Sequence, residues 1–178
     1  MGSQCFCGDC DLSMNISGLT VEEVIPHARR MVFLDKLESA DESHLLASMC
    51  IREDAYFIKE ASVPAWVGIE YMAQAIAAYA GVLAKNEGES IKVGLLLGTR
   101  RYTSKVPGCP LERTIFVRVE PLHNEESGLG VFECGMYPAT EGGICADEPW
   151  GAANLTGYQP RDVSAVLTGE REGGNARW

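Results

Sequence analysis

The chain has 178 residues, of which 46% are hydrophobic, and its formal net charge is −10. This length and composition fit one globular domain, which we expect at residues 14–160, between a mobile leader at 1–13 and a mobile, glycine-rich tail at 161–178. The acidic balance excludes a general nucleic-acid binder, because the neutralisation of phosphates needs a basic surface.

Seven cysteines are present, and three of them lie in the stretch CFCGDC at residues 5–10. Their odd number, with no secretory signal ahead of them, favours reduced thiols in a cytoplasmic protein. A closed zinc site needs four ligands, and no second cluster with ligand spacing follows Cys5, Cys7 and Cys10. We therefore expect no metal site.

A short helix, two strands, one long helix and four strands are predicted in chain order. Residues 20–25 predict the short helix, with Thr20 as its N-cap. Strands are predicted at 31–39 and 44–53, on either side of the turn ADES. The alanine-rich apolar stretch that begins at Val63 is about twenty residues long and predicts a helix. The remaining strands are predicted at 92–104, 113–123, 129–139 and 151–160.

The long helix is apolar on every face, so it must be covered on most sides. With six strands available, the natural arrangement is a curved antiparallel sheet wrapped around it, which gives an α+β fold. A membrane-spanning helix is the alternative. It would place the carboxylate of Glu70 in mid-span at a cost of several kcal/mol and would leave the strands without a core.

Glu70 and Gln74 are the one carboxylate and the one amide in this helix, VPAWVGIEYMAQAIAAYAG. Their four-residue spacing places them on one face, among apolar neighbours. Desolvation favours the neutral form of a carboxyl group, which can then donate a proton as a general acid. A carboxylate that only pairs with a buried arginine or a backbone donor is the alternative interpretation.

The start of the helix offers a second chemical feature. Pro64 fits the first helical position. The N–H groups of Ala65, Trp66 and Val67 would then lie at the positive end of the helix dipole and could bind a carbonyl oxygen that gains negative charge. His27 is a candidate base near neutral pH, unless it only packs against the sheet.

Three blocks of the sequence resemble a known enzyme family. VPAWVGIEYMAQ, IPHARRMVFLDKL and LLLGTRRYTSKVPGCPLE are similar to motifs of the hot-dog dehydratases that act on 3-hydroxyacyl thioesters of acyl-carrier protein. WVGIEYMAQAIAAYAG and GLLLGTRRY resemble in particular the ApeP-like branch, the dehydratases of aryl-polyene-type clusters. The resemblance covers about residues 15–160 of the chain.

The resemblance implies a hot-dog dimer, homomeric or heteromeric, with active sites at its interface. Its reaction would be dehydration of a 3-hydroxyacyl thioester to the trans-2-enoyl thioester, in fatty acid or polyene-type biosynthesis. The acyl group would be carried on phosphopantetheine, on acyl-carrier protein or coenzyme A, with no cofactor. By matching position, Glu70 would handle the leaving hydroxyl, Ala65 and Trp66 would bind substrate, and Gln74 would lie behind the carboxylate.

One departure from the family concerns the catalytic base. The common dehydratases carry a histidine in a GHFPG loop before the helix, and the ungapped equivalent here is Tyr56. Either His27 takes over as the base, or the chain is a non-catalytic partner of an active dehydratase. A thioesterase is a third alternative.

A local basic patch is expected to bind the acidic carrier or its phosphate, although the chain as a whole is acidic. Ordinary solvated surface is the other interpretation of these residues. No membrane or nucleic-acid partner is expected. The patch would comprise Arg29, Arg100, Arg101 and Lys105.

Overall fold

A computed structural model describes residues 13–143 and 145–160 of the chain. Most of the predicted leader, with Cys5, Cys7 and Cys10, and the whole predicted tail lie outside these ranges. Within these ranges there are 3₁₀ turns at Val21–Glu23, Arg29–Met31 and Ala65–Val67, and one α-helix, α1, at Gly68–Asn86. The strands are β1 (Lys36–Ala40), β2 (Leu45–Cys50), β3 (Ser62–Pro64), β4 (Leu95–Ser104), β5 (Gly108–Pro110), β6 (Thr114–Asn124), β7 (Leu129–Pro138) and β8 (Gly151–Tyr158).

Six of the strands form one antiparallel sheet in the order β1-β2-β6-β7-β8-β4. Strands β3 and β5 form a separate two-stranded sheet. Helix α1 packs against β2, β6, β7 and β8. The prediction of an α+β fold, with one long helix and a curved sheet of six strands, is therefore confirmed.

Helix α1 is the centre of the hydrophobic core. Met72, Ala75, Ala78 and Val82 are fully buried against the sheet. The segment Ala65–Asn86 is long and apolar enough to cross a membrane, but 56% of its most apolar 18-residue stretch is buried inside the protein. Its contacts with four strands explain its apolar composition, so it is the core helix of the domain.

The helix begins later than its sequence predicts. Val63 pairs with Cys109 in the small β3–β5 sheet, although residue 109 lies between the predicted strands 92–104 and 113–123. Pro64 is extended, with φ −54° and ψ 141°, and caps the 3₁₀ turn instead of opening an α-helix. The pairing with β5 holds residues 62–64 extended, so α1 starts at Gly68.

The N-terminal segments also differ in extent from the prediction. The predicted helix at 20–25 is a 3₁₀ turn, capped where the Glu23 carboxylate accepts the Thr20 N–H at 2.8 Å. The predicted strand at 31–39 begins only at Lys36. The N–H of Phe33 donates to the Gln74 side chain at 2.9 Å, so this part of the segment is bound to the helix and not to a neighbouring strand.

Candidate active site

His27 and Glu70 meet at a groove of about 520 Å³. The distance from His27 Nε2 to Glu70 Oε1 is 3.8 Å, although the two residues belong to different elements. His27 lies in the loop between the first two 3₁₀ turns, and Glu70 lies in the first turn of α1. The structure thus brings together the predicted acid and the predicted base within one chain.

The Glu70 side chain is less buried than its apolar surroundings predict. In the single chain it is 40% exposed, and the His27 side chain is 29% exposed. Both groups therefore lie on the wall of the groove and are accessible to a ligand. The expectation of a carboxyl group enclosed in the core does not hold for the isolated chain.

Gln74 links the two segments that carry His27 and Glu70. Its amide Nε2 donates to Glu70 Oε1 at 3.0 Å and to the Met31 carbonyl at 2.8 Å, and its Oε1 accepts the Phe33 N–H. The side chain is completely buried. Because an unpaired buried amide would be costly, these three bonds fix the carboxylate relative to the loop that carries the histidine.

The second ring nitrogen of His27 has an unusual environment. Nδ1 is buried and has no hydrogen-bond partner among the described residues. A histidine that accepts a proton at Nε2 must carry its other proton on Nδ1, where an unpaired buried donor costs about 1–3 kcal/mol. This cost opposes base action by His27 and makes its substitution an informative experiment.

The backbone at the helix start differs from the prediction at Ala65. Its N–H donates to the Pro107 carbonyl at 3.0 Å, continuing the β3–β5 pairing by one residue, so it is not the free donor that the sequence suggests. The Ala65 carbonyl accepts the hydroxyl of Tyr102. Both the N–H and the carbonyl of Ala65 therefore have hydrogen-bond partners. Its N–H is not free to bind a substrate carbonyl, although the sequence predicted that it would be.

One face of α1 forms an apolar wall of the groove. The distance along the helix from Glu70 to Glu87 is about 25 Å, at 1.5 Å per residue. Small, aliphatic and aromatic side chains fill the stretch between them, and Leu95 and Phe132 also line the groove. Such a surface suits an extended apolar group. The helix residues that form the wall are Ala73, Ile76, Ala77, Tyr79, Ala80, Leu83 and Ala84.

An aromatic cluster precedes the helix and was not predicted. Trp66 is 60% exposed, and its ring lies 5.5 Å from that of Phe57, which lies 6.2 Å from that of Tyr56. Tyr56, at the position of the family's histidine, lies under the guanidinium of Arg30 at 5.1 Å and does not line the groove that holds Glu70. Tyr56 and Phe57 are adjacent in the sequence, but Trp66 belongs to a separate segment, so the sequence alone does not indicate the cluster.

Only part of the predicted basic patch is free to bind an acidic partner. Lys105 Nζ lies 2.8 Å from Glu148 Oε2 and is thus already paired. Arg29, Arg100 and Arg101 are exposed and form no ion pair with the residues that the structure describes. Arg100 and Arg101 belong to β4, whereas Arg29 follows His27 by two residues.

The four described cysteines are free thiols. Burial raises the pKa of Cys109 to about 11 and that of Cys134 to about 12. Both thiols are therefore protonated at neutral pH. Within residues 13–143 and 145–160, no group of three or more His, Cys, Asp and Glu side chains could hold a metal ion.

Comparisons with known proteins agree with this architecture. The ApeP-like family, described as ApeP dehydratase, matches residues 19–168. No curated protein matches the chain. The dehydratase heterocomplex ApeI:P from Xenorhabdus doucetiae has a TM-score of 0.74 at 24% identity, over 86% of this chain and 99% of that one.

Two further solved structures share the fold at low identity. The Escherichia coli PaaI protein from the phenylacetic acid degradation operon has a TM-score of 0.51 at 12% identity, over 70% of this chain and 82% of that one. A hypothetical thioesterase with coenzyme A from Streptococcus pneumoniae TIGR4 has a TM-score of 0.50 at 12% identity, over 70% and 87%. These likenesses support the hot-dog fold, and the family match covers most of the chain. The chain therefore belongs to the ApeP-like family of dehydratases.

Proposed function

We propose that this chain dehydrates a 3-hydroxyacyl thioester carried on the phosphopantetheine arm of an acyl-carrier protein, in the cytoplasm and without a cofactor. The observation that carries the proposal is the approach of His27 Nε2 to Glu70 Oε1, at 3.8 Å, on the wall of a groove that an apolar face of α1 lines. A member of a dehydratase family with an acid and a base so placed has the two groups that removal of water requires.

The proposed reaction uses these two groups as base and acid. His27 takes the proton from C2, and the electrons of that bond form the C2=C3 double bond. The carboxyl group of Glu70 gives its proton to the 3-hydroxyl, which leaves as water. Transfer of the proton from His27 to Glu70, across the 3.8 Å between them, restores the starting state.

Negative charge develops on the thioester carbonyl when C2 loses its proton. We assign its binding to the backbone N–H of Trp66, because the Ala65 N–H is bonded to Pro107. Trp66 lies in the 3₁₀ turn that leads directly into α1, at the positive end of the helix dipole. A donor there stabilises an oxyanion more than it stabilises the neutral carbonyl.

The proposal includes a second hot-dog chain as partner. The ApeI:P structure is a heterocomplex, and this chain has a similar fold over 86% of its length. The missing GHFPG histidine gives a specific reason to consider that this chain works with a partner. A non-catalytic role in such a pair is the second candidate function.

Arg29 is the proposed contact for the carrier protein. It is exposed, forms no ion pair among the described residues, and lies two positions after His27. Its attraction to an acidic carrier would weaken with salt. We expect Arg29→Ala to reduce the affinity for the carrier protein and the salt dependence of that affinity. Lys59→Ala, which removes another exposed positive charge, is the matched control. An affinity that does not change with ionic strength would contradict this contact.

The product of the reaction tests the proposed function. The chain would be incubated with 3-hydroxyacyl-carrier protein, alone and with the ApeI chain of Xenorhabdus doucetiae, and the acyl group followed by mass spectrometry. Dehydration gives the enoyl thioester with the loss of one water, whereas a thioesterase releases the free acid. Turnover only in the mixture, unchanged by Glu70→Gln, would assign the chain a non-catalytic role.

A further inference from the structure

Gly157 lies near the end of β8, on the face of the main sheet that is turned toward α1. Ala153 and Leu155 of the same strand are buried in the core, and the two-residue alternation of a strand places Gly157 on their side. Gly157 pairs with Gly130 of β7 and with Leu96 of β4. All three paired residues line the groove of the candidate active site.

The backbone does not require a glycine at residue 157. Its φ is outside the left-handed range, and the nearest atom to an added Cβ, apart from its chain neighbours, would be the Leu95 carbonyl oxygen at 3.9 Å. Gly130 is different, because a Cβ there would lie 2.7 Å from the Phe132 ring. A glycine within a strand weakens the sheet and often marks a place where a ligand approaches the backbone closely. A ligand in the groove would explain the open space above Gly157.

Two contacts of β7 show how this strand lies along the helix. Met136 packs against Gly68 at the start of α1. The centre of the Phe132 ring lies 6.3 Å from that of the Tyr79 ring, farther along the helix. Strand and helix therefore run side by side in opposite directions, so residues of β7 that precede Phe132 lie beside the last turns of α1.

The distance from the catalytic pair to Gly157 follows from this arrangement. Tyr79 lies about 14 Å beyond Glu70 on the helix, at 1.5 Å per residue. Gly130 precedes Phe132 by two residues, which adds about 7 Å along the strand. The pair of Gly130 and Gly157 therefore lies roughly 20 Å from Glu70 along the groove.

An extended acyl chain can span this distance. Successive carbons of such a chain advance by about 1.3 Å, so a chain with its C3 at Glu70 reaches Gly157 at roughly its eighteenth carbon. The face of α1 along this path is mostly small or aliphatic, which suits an acyl chain. The volume of the groove, about 520 Å³, also falls in the range of about 300–1,000 Å³ that is common for ligand sites.

We infer that Gly157 determines the length of the acyl group that the groove accepts, and that the substrate is a long-chain 3-hydroxyacyl thioester of roughly eighteen carbons. The inference names the substrate class of the proposed function and rests on it. A larger side chain at residue 157 would project into the groove and exclude the end of such a chain. Short acyl chains would not extend as far as this residue.

The affinities of two unreactive thioesters test the inference. Both are thioesters of N-acetylcysteamine with a saturated acyl chain, one of eight carbons and one of eighteen, and neither carries a 3-hydroxyl group. Each would displace a conjugated fatty-acyl probe, whose fluorescence rises in apolar surroundings, from the chain alone and from its mixture with the ApeI chain of Xenorhabdus doucetiae. We expect the wild type to bind the longer thioester at least tenfold more tightly. Gly157→Leu should lower this ratio about tenfold, because the space of a few methylene groups is lost.

A substitution on the same strand is the matched control. Thr156→Leu adds bulk to the outer face of β8, away from the groove, and its affinity ratio should equal that of the wild type. Gly157→Leu should be at least as stable to urea as the wild type, since its Cβ has no close neighbour. Gly157→Ala adds only a methyl group, should lower the ratio less, and tests the inference if leucine disturbs the strand.

Two results would overturn the inference: equal affinities of the wild type for both thioesters, or the same affinity ratio in the wild type and in both Gly157 variants. The measurement reports binding and not turnover. A wild type that prefers the long thioester but forms no enoyl product from its 3-hydroxy form would support the assignment of chain length and contradict the dehydratase function.

Discussion

His27 Nε2 lies 3.8 Å from Glu70 Oε1 within a single chain, and the Gln74 amide holds the two supporting segments together. The acid and the base of the proposed dehydration therefore do not have to come from different subunits.

Removal of the Gln74 amide should affect both stability and catalysis. Gln74→Met keeps the approximate length of the side chain but leaves the Phe33 N–H and the Met31 carbonyl without their partner in a partly buried site. The expected loss is about 1–3 kcal/mol in the free energy of unfolding, measured by urea denaturation. We expect a lower kcat as well, because Glu70 loses its hydrogen bond. A midpoint equal to that of the wild type would show that these bonds do not stabilise the fold.

Substitution of Gly81 should destabilise the protein although alanine favours helices. A Cβ at this position would lie 1.8 Å from the backbone carbonyl oxygen of Val24, so the first 3₁₀ turn or the helix would have to move. Gly68→Ala should cost less, because the nearest atoms belong to the flexible Met136 side chain. The thermal unfolding midpoints of the two variants would show which substitution destabilises the protein more. A Gly81→Ala variant as stable as the wild type would contradict the close approach of these elements.

The described thiols should react in order of their exposure. Only the thiolate is nucleophilic, and burial raises the pKa of Cys109 to about 11 and that of Cys134 to about 12. At pH 8 we expect iodoacetamide to modify the half-buried Cys50 before either of them, as peptide mapping would show. In urea Cys50, Cys109 and Cys134 should react at similar rates. Fast labelling of Cys134 in the folded protein would contradict its burial.

Substitution of His27 tests whether it acts as the base. His27→Ala should reduce kcat by about 10²–10⁴-fold, and added imidazole should restore part of the activity by entering the space left by the ring. Circular dichroism would show that the fold is kept. If His27→Ala retains wild-type turnover, His27 takes no part in proton transfer. The lack of a hydrogen-bond partner for its Nδ1 would agree with that result.

The sequence predicted the long elements well because their patterns are strong. The apolar, alanine-rich stretch predicted α1, and the four-residue spacing predicted that Glu70 and Gln74 share one face. The pairing of β3 with β5 was missed, since Val63 and Cys109 are distant in the chain and each strand has only three residues. The same pairing extends to the Ala65 N–H, which donates to a neighbouring carbonyl. Because the pairing was missed, this N–H was wrongly predicted to be a free donor in the site.

The exposure of Glu70 could not be predicted from its neighbours in the helix. The helical pattern places apolar residues on every side of it, but the distance between helix and sheet determines whether a groove opens there. The N-terminal segment also packs against the helix, as at Gly81 and Val24, and only the folded structure shows these distances.

The most direct test of the central claim is the rate of dehydration by Glu70→Gln. The substrate would be a 3-hydroxyacyl thioester of N-acetylcysteamine, which carries the end of the phosphopantetheine arm, and the reaction would be run with and without the ApeI chain. Glutamine keeps the shape of Glu70 and its contact with Gln74 but cannot donate a carboxyl proton. We predict that the wild type forms the enoyl thioester and that the variant is slower by about 10²–10⁴-fold. Equal rates for the two proteins would contradict the claim that Glu70 is the acid.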